Sequence, residues 1–253
     1  MADKNLNNLL RWSIENTATG PDGTTDAAPR STLDPETLAA LMGGPSDADL
    51  MRESMTAIVS PDPEVTLESR LVAFDNLEQL IESIDNANLL SKLGLWTPLL
   101  ECLANPEDKI RLMAAWCVGT AVQNNEPCQE RLVALGGIEK LVRMSVGKRL
   151  LPPMLPSSSS AAVNGAETNG EDKKTTDEEA ENEETRAVCR KAIYALSSGV
   201  RNYQPAMDVC TTELRRQGHG ELVGGDNSKA IDASDMDAVD AVIQGLRAKA
   251  TDA

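Results

Sequence analysis

Residues Lys109–Asn125 read KIRLMAAWCVGTAVQNN, and their spacing decides the fold. Ile110, Met113, Ala114, Cys117, Val118, Ala121 and Val122 recur at steps of three and four, which sets them along one face of a helix. No proline interrupts the stretch. Its single glycine, Gly119, is a modest cost in a helix and suits the close approach of a second one. Downstream, Glu126-Pro127 ends the helix and Gln129–Leu135 makes a short second one. Gly136-Gly137 then turns the chain, and Ile138–Met144 opens a third apolar-periodic segment. A long helix, a short helix, a glycine turn and another helix make one repeat unit.

A copy lies about 41 residues upstream. Arg70–Leu103 (RLVAFDNLEQLIESIDNANLLSKLGLWTPLLECL) aligns with Arg111–Met144, so that Leu93-Gly94-Leu95 falls on Leu135-Gly136-Gly137 and Leu99-Leu100 on Leu141-Val142. A third, partial copy is Glu184–Asn202 (ETRAVCRKAIYALSSGVRN). A helical period near ~40 residues is the signature of armadillo and HEAT arrays. The expected fold is all-α, an armadillo-like right-handed superhelix of stacked helical repeats with disordered linkers.

Composition narrows the function. The chain of 253 residues is 41% apolar but only 2% aromatic, which suits helices packed through aliphatic ridges better than a β-sandwich. A net charge of −16 argues against nucleic acid and against an anionic membrane surface. There is neither a signal h-region nor an apolar run of the ~20 residues that would span a bilayer. The five cysteines (Cys102, Cys117, Cys128, Cys189, Cys210) form no CxxC pair and read as small core residues of a cytoplasmic protein.

Taken in order, residues 1–16 contain a short amphipathic helix, Asn5–Asn16, with Leu6, Leu9, Leu10 and Ile14 on one side. Residues 17–30 read as a flexible linker. Residues 31–64 hold N-terminal helices, one opened by Asp34-Pro35 and one by a capping box at Ser46 and Asp49. Leu50, Met51, Met55 and Ile58 of the second helix are expected in the core. The repeats occupy 65–149. A proline-, serine- and glutamate-rich insertion, 150–183, is expected to be disordered. The third repeat covers 184–214, a glycine-rich linker 215–231, and a capping helix 232–253, begun by Ser234 or Asp232.

Catalytic chemistry finds little support. The one histidine, His219, sits among glycines, so a hydrolase built on it is the weakest of three readings. No zinc spacing or phosphate-binding glycine loop occurs, and neither a cofactor nor a metal is expected. What remains is surface. The long helices, about Leu67–Ser83, Lys109–Asn124 and Glu184–Arg201, are expected to line a groove. It would be built from Asp75, Glu78 and Glu82, then Trp116, Thr120, Gln123 and Asn124, then Tyr194, Ser198, Arg201 and Asn202. Trp116 serves equally well as a core residue. A groove of amides, hydroxyls and aromatics suits a polar, folded partner.

NLNNLLRWSIEN, GGPSDADLMRESM, LVAFDNLEQLIESIDNAN, LGLWTPLL, AAWCVGTAVQNN and RKAIYALSSGVRNYQ together resemble the fungal Fes-type nucleotide exchange factors, relatives of the animal Hsp-70-binding protein. The resemblance covers Asn5–Asn16 and Gly43–Gln204 apart from the insertion, and fades after about Cys210. It implies a non-enzymatic cytosolic armadillo protein that wraps one lobe of the ATPase domain of 70-kDa heat-shock chaperones and displaces the other. ADP release then speeds up and the folding client leaves, with a link to translation in fungi. The resemblance also puts Asn86, Ala87 and Asn88 of IDNAN at the chaperone contact, with Ala87 as the place for a disabling bulky charge. The expected protein is a monomer whose N-terminal helix meets unfolded clients through Leu6, Leu9, Leu10 and Trp12. The alternative is a passive armadillo adaptor for peptides, though such grooves repeat Trp and Asn on successive helices and the ladder here stops at Trp116.

Overall fold

The computed structural model describes residues 45–150, 171–224 and 230–252, with side chains from 183 in the second stretch and to 251 in the third. The expected helices at Asn5–Asn16 and Asp34–Met42, the linker at 17–30 and residues 151–170 of the insertion lie outside these. Clustering of the backbone divides the chain into a short unit, Met1–Asp49, and a larger one, Leu50–Ala253, that holds the array.

Every regular element among the described residues is helical: α1 (Asp47–Ile58), α2 (Leu67–Ile81), α3 (Ile84–Lys92), α4 (Trp96–Cys102), α5 (Asp108–Val122), α6 (Glu126–Ala134), α7 (Gly137–Ser145), α8 (Glu171–Val200), α9 (Gln204–Arg216), a 3-10 turn (Gly220–Val223) and α10 (Met236–Asp252). Local chemistry explains several boundaries. Ser46 Oγ donates to Asp49 Oδ2 at 2.7 Å and accepts from the Asp49 N–H at 3.2 Å, which is the capping box expected for α1. Met51, Met55 and Ile58 of this helix are buried and Leu50 is half-buried. Thr66 caps α2 by accepting from the Ser69 N–H at 3.1 Å. At α10 the cap is Asp235, which takes the Ala238 N–H at 3.2 Å. Of the two expected caps, Asp232 instead accepts from the N–H and hydroxyl of the other, Ser234, in the preceding turn.

Each unit runs long helix, second helix, third helix, and the turns recur with it. Gly94, Gly136 and Gly218 each follow the second helix at φ +70°, +68° and +86°, a left-handed conformation that glycine reaches without strain. The Leu95 and His219 amides bond back to Leu90 and Leu214 carbonyls across two of these turns. Asn124 (φ 51°) and Asn202 (φ 57°) close the second and third long helices in the same left-handed region, where asparagine is tolerated. After each comes a proline in the first turn of the next helix. In the third unit the last helix is reduced to the 3-10 turn.

The long helices pack in sequence, α2 on α5, α5 on α8, and α8 on α10. Because α5 has a neighbour on both sides, its burial exceeds the single face expected from its spacing. Arg111, Ala115 and Gly119 are buried along with Ile110, Met113, Ala114, Cys117, Val118, Ala121 and Val122. The Arg111 guanidinium is satisfied by the Asn105 and Pro106 carbonyls at 2.7 and 2.9 Å and by the Asp108 carboxylate.

Two expectations about the linkers differ from what is found. Leu150, placed in the disordered insertion, is buried. α8 starts at Glu171 rather than about Glu184, because the acidic tract from Glu171 on is rich in Glu and lacks both Gly and Pro. All five cysteines are free and buried, and burial raises their thiols, Cys102 and Cys128 to about 11 and Cys210 to about 12, which keeps them protonated and inert.

One buried carboxylate ties the second unit to the third. Glu213 of α9 is 4% exposed and accepts from Arg143 Nε of α7 at 3.2 Å, from Arg216 Nη2 at 2.7 Å and from Gln217 Nε2 at 2.6 Å. Burial pushes its carboxyl up, but the hydrogen bonds from Arg216, Gln217 and Arg143 outweigh that and hold it below the ordinary carboxylate range. A lowered folded pKa adds stability that is fully present above the unfolded value of about 4 and is lost as the pH falls through the folded one. Urea titrations at a series of pH values should therefore show stability dropping below about pH 4. The Glu213→Gln protein should be less stable at pH 7 and have a flatter acid limb.

Candidate functional site: a polar cleft across the long helices

Where α2, α5 and α8 lie side by side, they and the start of α3 enclose a cleft of about 540 Å³. Glu78 and Glu82 border it from α2, Ile84 and Ala87 from α3, Trp116 and Thr120 from α5, Gln123 and Asn124 from the end of α5, and Tyr194 from α8. The walls are fixed to one another. Thr120 Oγ1 donates to Glu78 Oε1 at 2.8 Å, and the Tyr194 hydroxyl donates to Gln123 Oε1 at 3.4 Å. Lys191 lies with its ammonium 3.4 Å from the centroid of the Trp116 ring and 5.6 Å from that of Tyr194, a cation held on aromatic faces. Burial lowers the Lys191 pKa and the Glu78 carboxylate opposes the shift.

Gly119 makes this arrangement possible. A Cβ there would stand 2.4 Å from Tyr194 Cε1 and 3.1 Å from Ala195 Cα. Without a side chain α5 lets α8 come close, and the Tyr194 ring lies over the gap.

The structure gathers seven of the groove residues expected from sequence, Glu78, Glu82, Trp116, Thr120, Gln123, Asn124 and Tyr194, into one cleft. Trp116 answers both readings of its role, half-buried against the core with one ring face given to Lys191. The residues of IDNAN and of the end of α8 are differently placed. Asn86 and Ala87 are 8% and 2% exposed, because the IDNAN segment opens α3 and turns this face inward toward α6. Asn86 Nδ2 donates to the Leu80 carbonyl at 3.0 Å, which satisfies the end of α2. A bulky charge at Ala87 would enter the packed interior rather than project from a surface. Asn88 is half-buried, with Oδ1 3.6 Å from Cys128 Sγ. Arg201 pairs with Asp240 of α10, and the Asn202 N–H donates to the Ala233 carbonyl at 2.9 Å, so both fasten α8 to the C-terminal helix.

Two contributors were missed from sequence. Ile84 is 58% exposed at the lip of the cleft, and its position at the head of a polar helix gave no signal. Lys191 is one cation in an acid-rich chain, and its nearer ring partner, Trp116, comes from another unit. Trp96, the other tryptophan among the described residues, is buried on α4, so the long helices present no tryptophan ladder of the kind that clamps extended peptides. His219 is half-buried, with Nδ1 3.7 Å from Glu221 Oε1. Among the described residues no group of His, Cys, Asp and Glu is placed to hold a metal ion, and no helix is long and apolar enough to cross a membrane.

Comparison with known proteins adds a second line. Residues 6–90 match the family described as nucleotide exchange factor Fes1. A Neurospora crassa protein named Hsp70 nucleotide exchange factor fes-1 is 45% identical, over 99% of this chain and 100% of its own length. A Gibberella zeae protein named Hsp70 nucleotide exchange factor FES1 is 49% identical over 98% of each chain, and one from Coccidioides immitis is 38% identical over 97% and 98%. The likeness therefore continues past Cys210, where the sequence by itself showed it fading.

Gly119→Ala sets two effects against each other. Alanine gains about 1 kcal/mol of helix propensity, whereas forcing a methyl into a packed interface costs ~1–3 kcal/mol. The contact at 3.1 Å is to backbone, so the packing cost should win and urea unfolding should show a net loss of stability. A gain would mean that α5 and α8 can separate freely.

Proposed function

The chain belongs to the Fes1 family of nucleotide exchange factors, and on that premise we propose that it grips the ATPase domain of a cytosolic 70-kDa heat-shock chaperone, opens it and speeds the loss of ADP. The observation that carries this reading is the match of nearly the whole chain to exchange factors named for Hsp70. The cleft across α2, α5 and α8 supplies a polar surface with aromatic anchors, the make-up of a contact with a folded protein. In this proposal Ile84, Trp116, Thr120, Gln123 and Asn124 touch the partner, with Asn88 at the rear of the site. Arg201 and Asn202 hold the far end of the surface in place, and Asn86 and Ala87 act from inside by fixing α3.

No catalytic group is required of such a protein. It has only to bind the open, nucleotide-poor ATPase domain more tightly than the ADP-bound one. A difference of ~1–3 kcal/mol weakens ADP by roughly 5–150-fold. The protein acts as a monomer, and residues 1–16 meet the unfolded client. Faster exchange lets ATP rebind and the client leave, which supports folding and translation.

The test follows release of labelled ADP from a purified chaperone of this class. Stoichiometric protein should accelerate it. Ile84→Asp and Gln123→Arg, both at exposed positions, should weaken the effect by about tenfold, the loss expected of an interface anchor, while leaving the unfolding midpoint unchanged. In the same assay a chain lacking residues 1–30 should retain ADP release and lose part of its effect on client release. Wild-type protein that leaves ADP release unchanged would end the proposal.

A further inference from the structure

A second cleft, of about 480 Å³, shares no helix with the first and is built on the third helices of the two complete units. Its apolar part comes from Leu100 of α4, Leu135 ahead of α7 and Leu150 beyond it. Around these stand three cations, Lys140 and Arg143 of α7 and Arg149, against a single lining carboxylate, Glu101. The first cleft leans the other way, with Glu78 and Glu82 in its lining and the Lys191 ammonium taken up by the Trp116 and Tyr194 rings. In a chain of net charge −16 a leucine-floored hollow whose charged lining is mostly cationic runs against the general field.

The cations are held in place but not used up. Lys140 Nζ donates to the Leu100 carbonyl at 3.2 Å and keeps two further N–H groups. Arg143 gives Nε to Glu213 at 3.2 Å, and Arg149 gives Nη2 to Asp108 at 3.1 Å and to the Pro106 carbonyl at 3.4 Å. With side chains 41% and 65% exposed, both guanidinium groups retain donors that face solvent.

We propose that this second cleft docks an acidic, leucine-bearing segment of a partner protein, with carboxylates on Lys140, Arg143 and Arg149 and an aliphatic side chain against Leu100, Leu135 and Leu150. The apolar floor decides between a peptide and a bare anion, since a phosphate gains nothing from three leucines. Exposed ion pairs contribute little singly, so binding depends on charge and apolar contact acting together. The site is separate from the surface assigned to nucleotide exchange.

Fluorescence anisotropy of the full chain with labelled acetyl-Asp-Glu-Leu-Leu-Asp-Glu tests the proposal. Binding should weaken as salt rises, and a probe with Lys in place of each acid should bind about tenfold less tightly or worse. Arg149→Gln, at an exposed position, and Lys140→Met, which keeps the aliphatic stem, should each weaken the acidic probe by severalfold and leave ADP release at the wild-type level. Equal binding of the two probes, unchanged affinity in both variants, or competition by inorganic phosphate as effective as that by unlabelled peptide would overturn it. So would loss of ADP release in Arg149→Gln, which would place Arg149 on the exchange surface instead.

Discussion

The contact on which the rest depends is the packing of α5 between α2 and α8. A helix with neighbours on two sides cannot keep a broad polar face, and α5 accordingly buries Ala115 and Gly119 as well as its main apolar stripe. Past its first turn the residues it leaves partly open, Leu112, Trp116 and Thr120, are therefore few and closely placed. Trp116 and Thr120 bear on the cleft. The requirement that three long helices lie side by side thus creates the core and selects the surface.

The register of the array can be followed in its cross-unit hydrogen bonds. Between the first and second units they join residues 40 to 43 apart, as in Lys140 to Leu100, Cys128 to Ala87, Thr120 to Glu78 and Cys117 to Phe74. Between the second and third units they join residues 69 to 72 apart, as in Gln129 to Ser198 and Arg201, Arg143 to Glu213 and Tyr194 to Gln123. The excess is the insertion, which the third unit absorbs without loss of register. Arg201 to Asp240, 39 apart, restores the original step and marks α10 as a fourth long helix. Nearest-neighbour bonding of this kind makes stability a sum over adjacent interfaces. Gln129 shows how strict the register is, since one buried amide at 3.0 Å from two carbonyls finishes the end of a helix in the next unit.

Much of this was legible in the residues themselves. The spacing in Lys109–Asn125, the paired glycine turns at Gly94 and Gly136 and the capping box at Ser46 all act through near neighbours, and local rules find such features. The candidate site was half legible. Trp116, Thr120, Gln123 and Asn124 follow from the outward side of one helix. Lys191 on the Trp116 ring depends on two helices from different units, and the exposure of Ile84 depends on how α3 lies against α6. For the same reason Asn86 and Ala87 looked available in sequence, whereas the packing of α3 turns them inward. The early start of α8 has a different cause, because an acidic tract without glycine or proline resists packing yet favours a helix.

An exchange factor without chemistry of its own works only through unequal affinity for two states of its partner, and that inequality can be weighed directly. Calorimetric titration of the full chain into a purified chaperone ATPase domain, with and without saturating ADP, would measure it. ADP should weaken the complex by a factor of roughly 5–150, and the chain should weaken ADP by the same factor in the reciprocal titration. Equal affinity for the ADP-bound and nucleotide-free domains would contradict it.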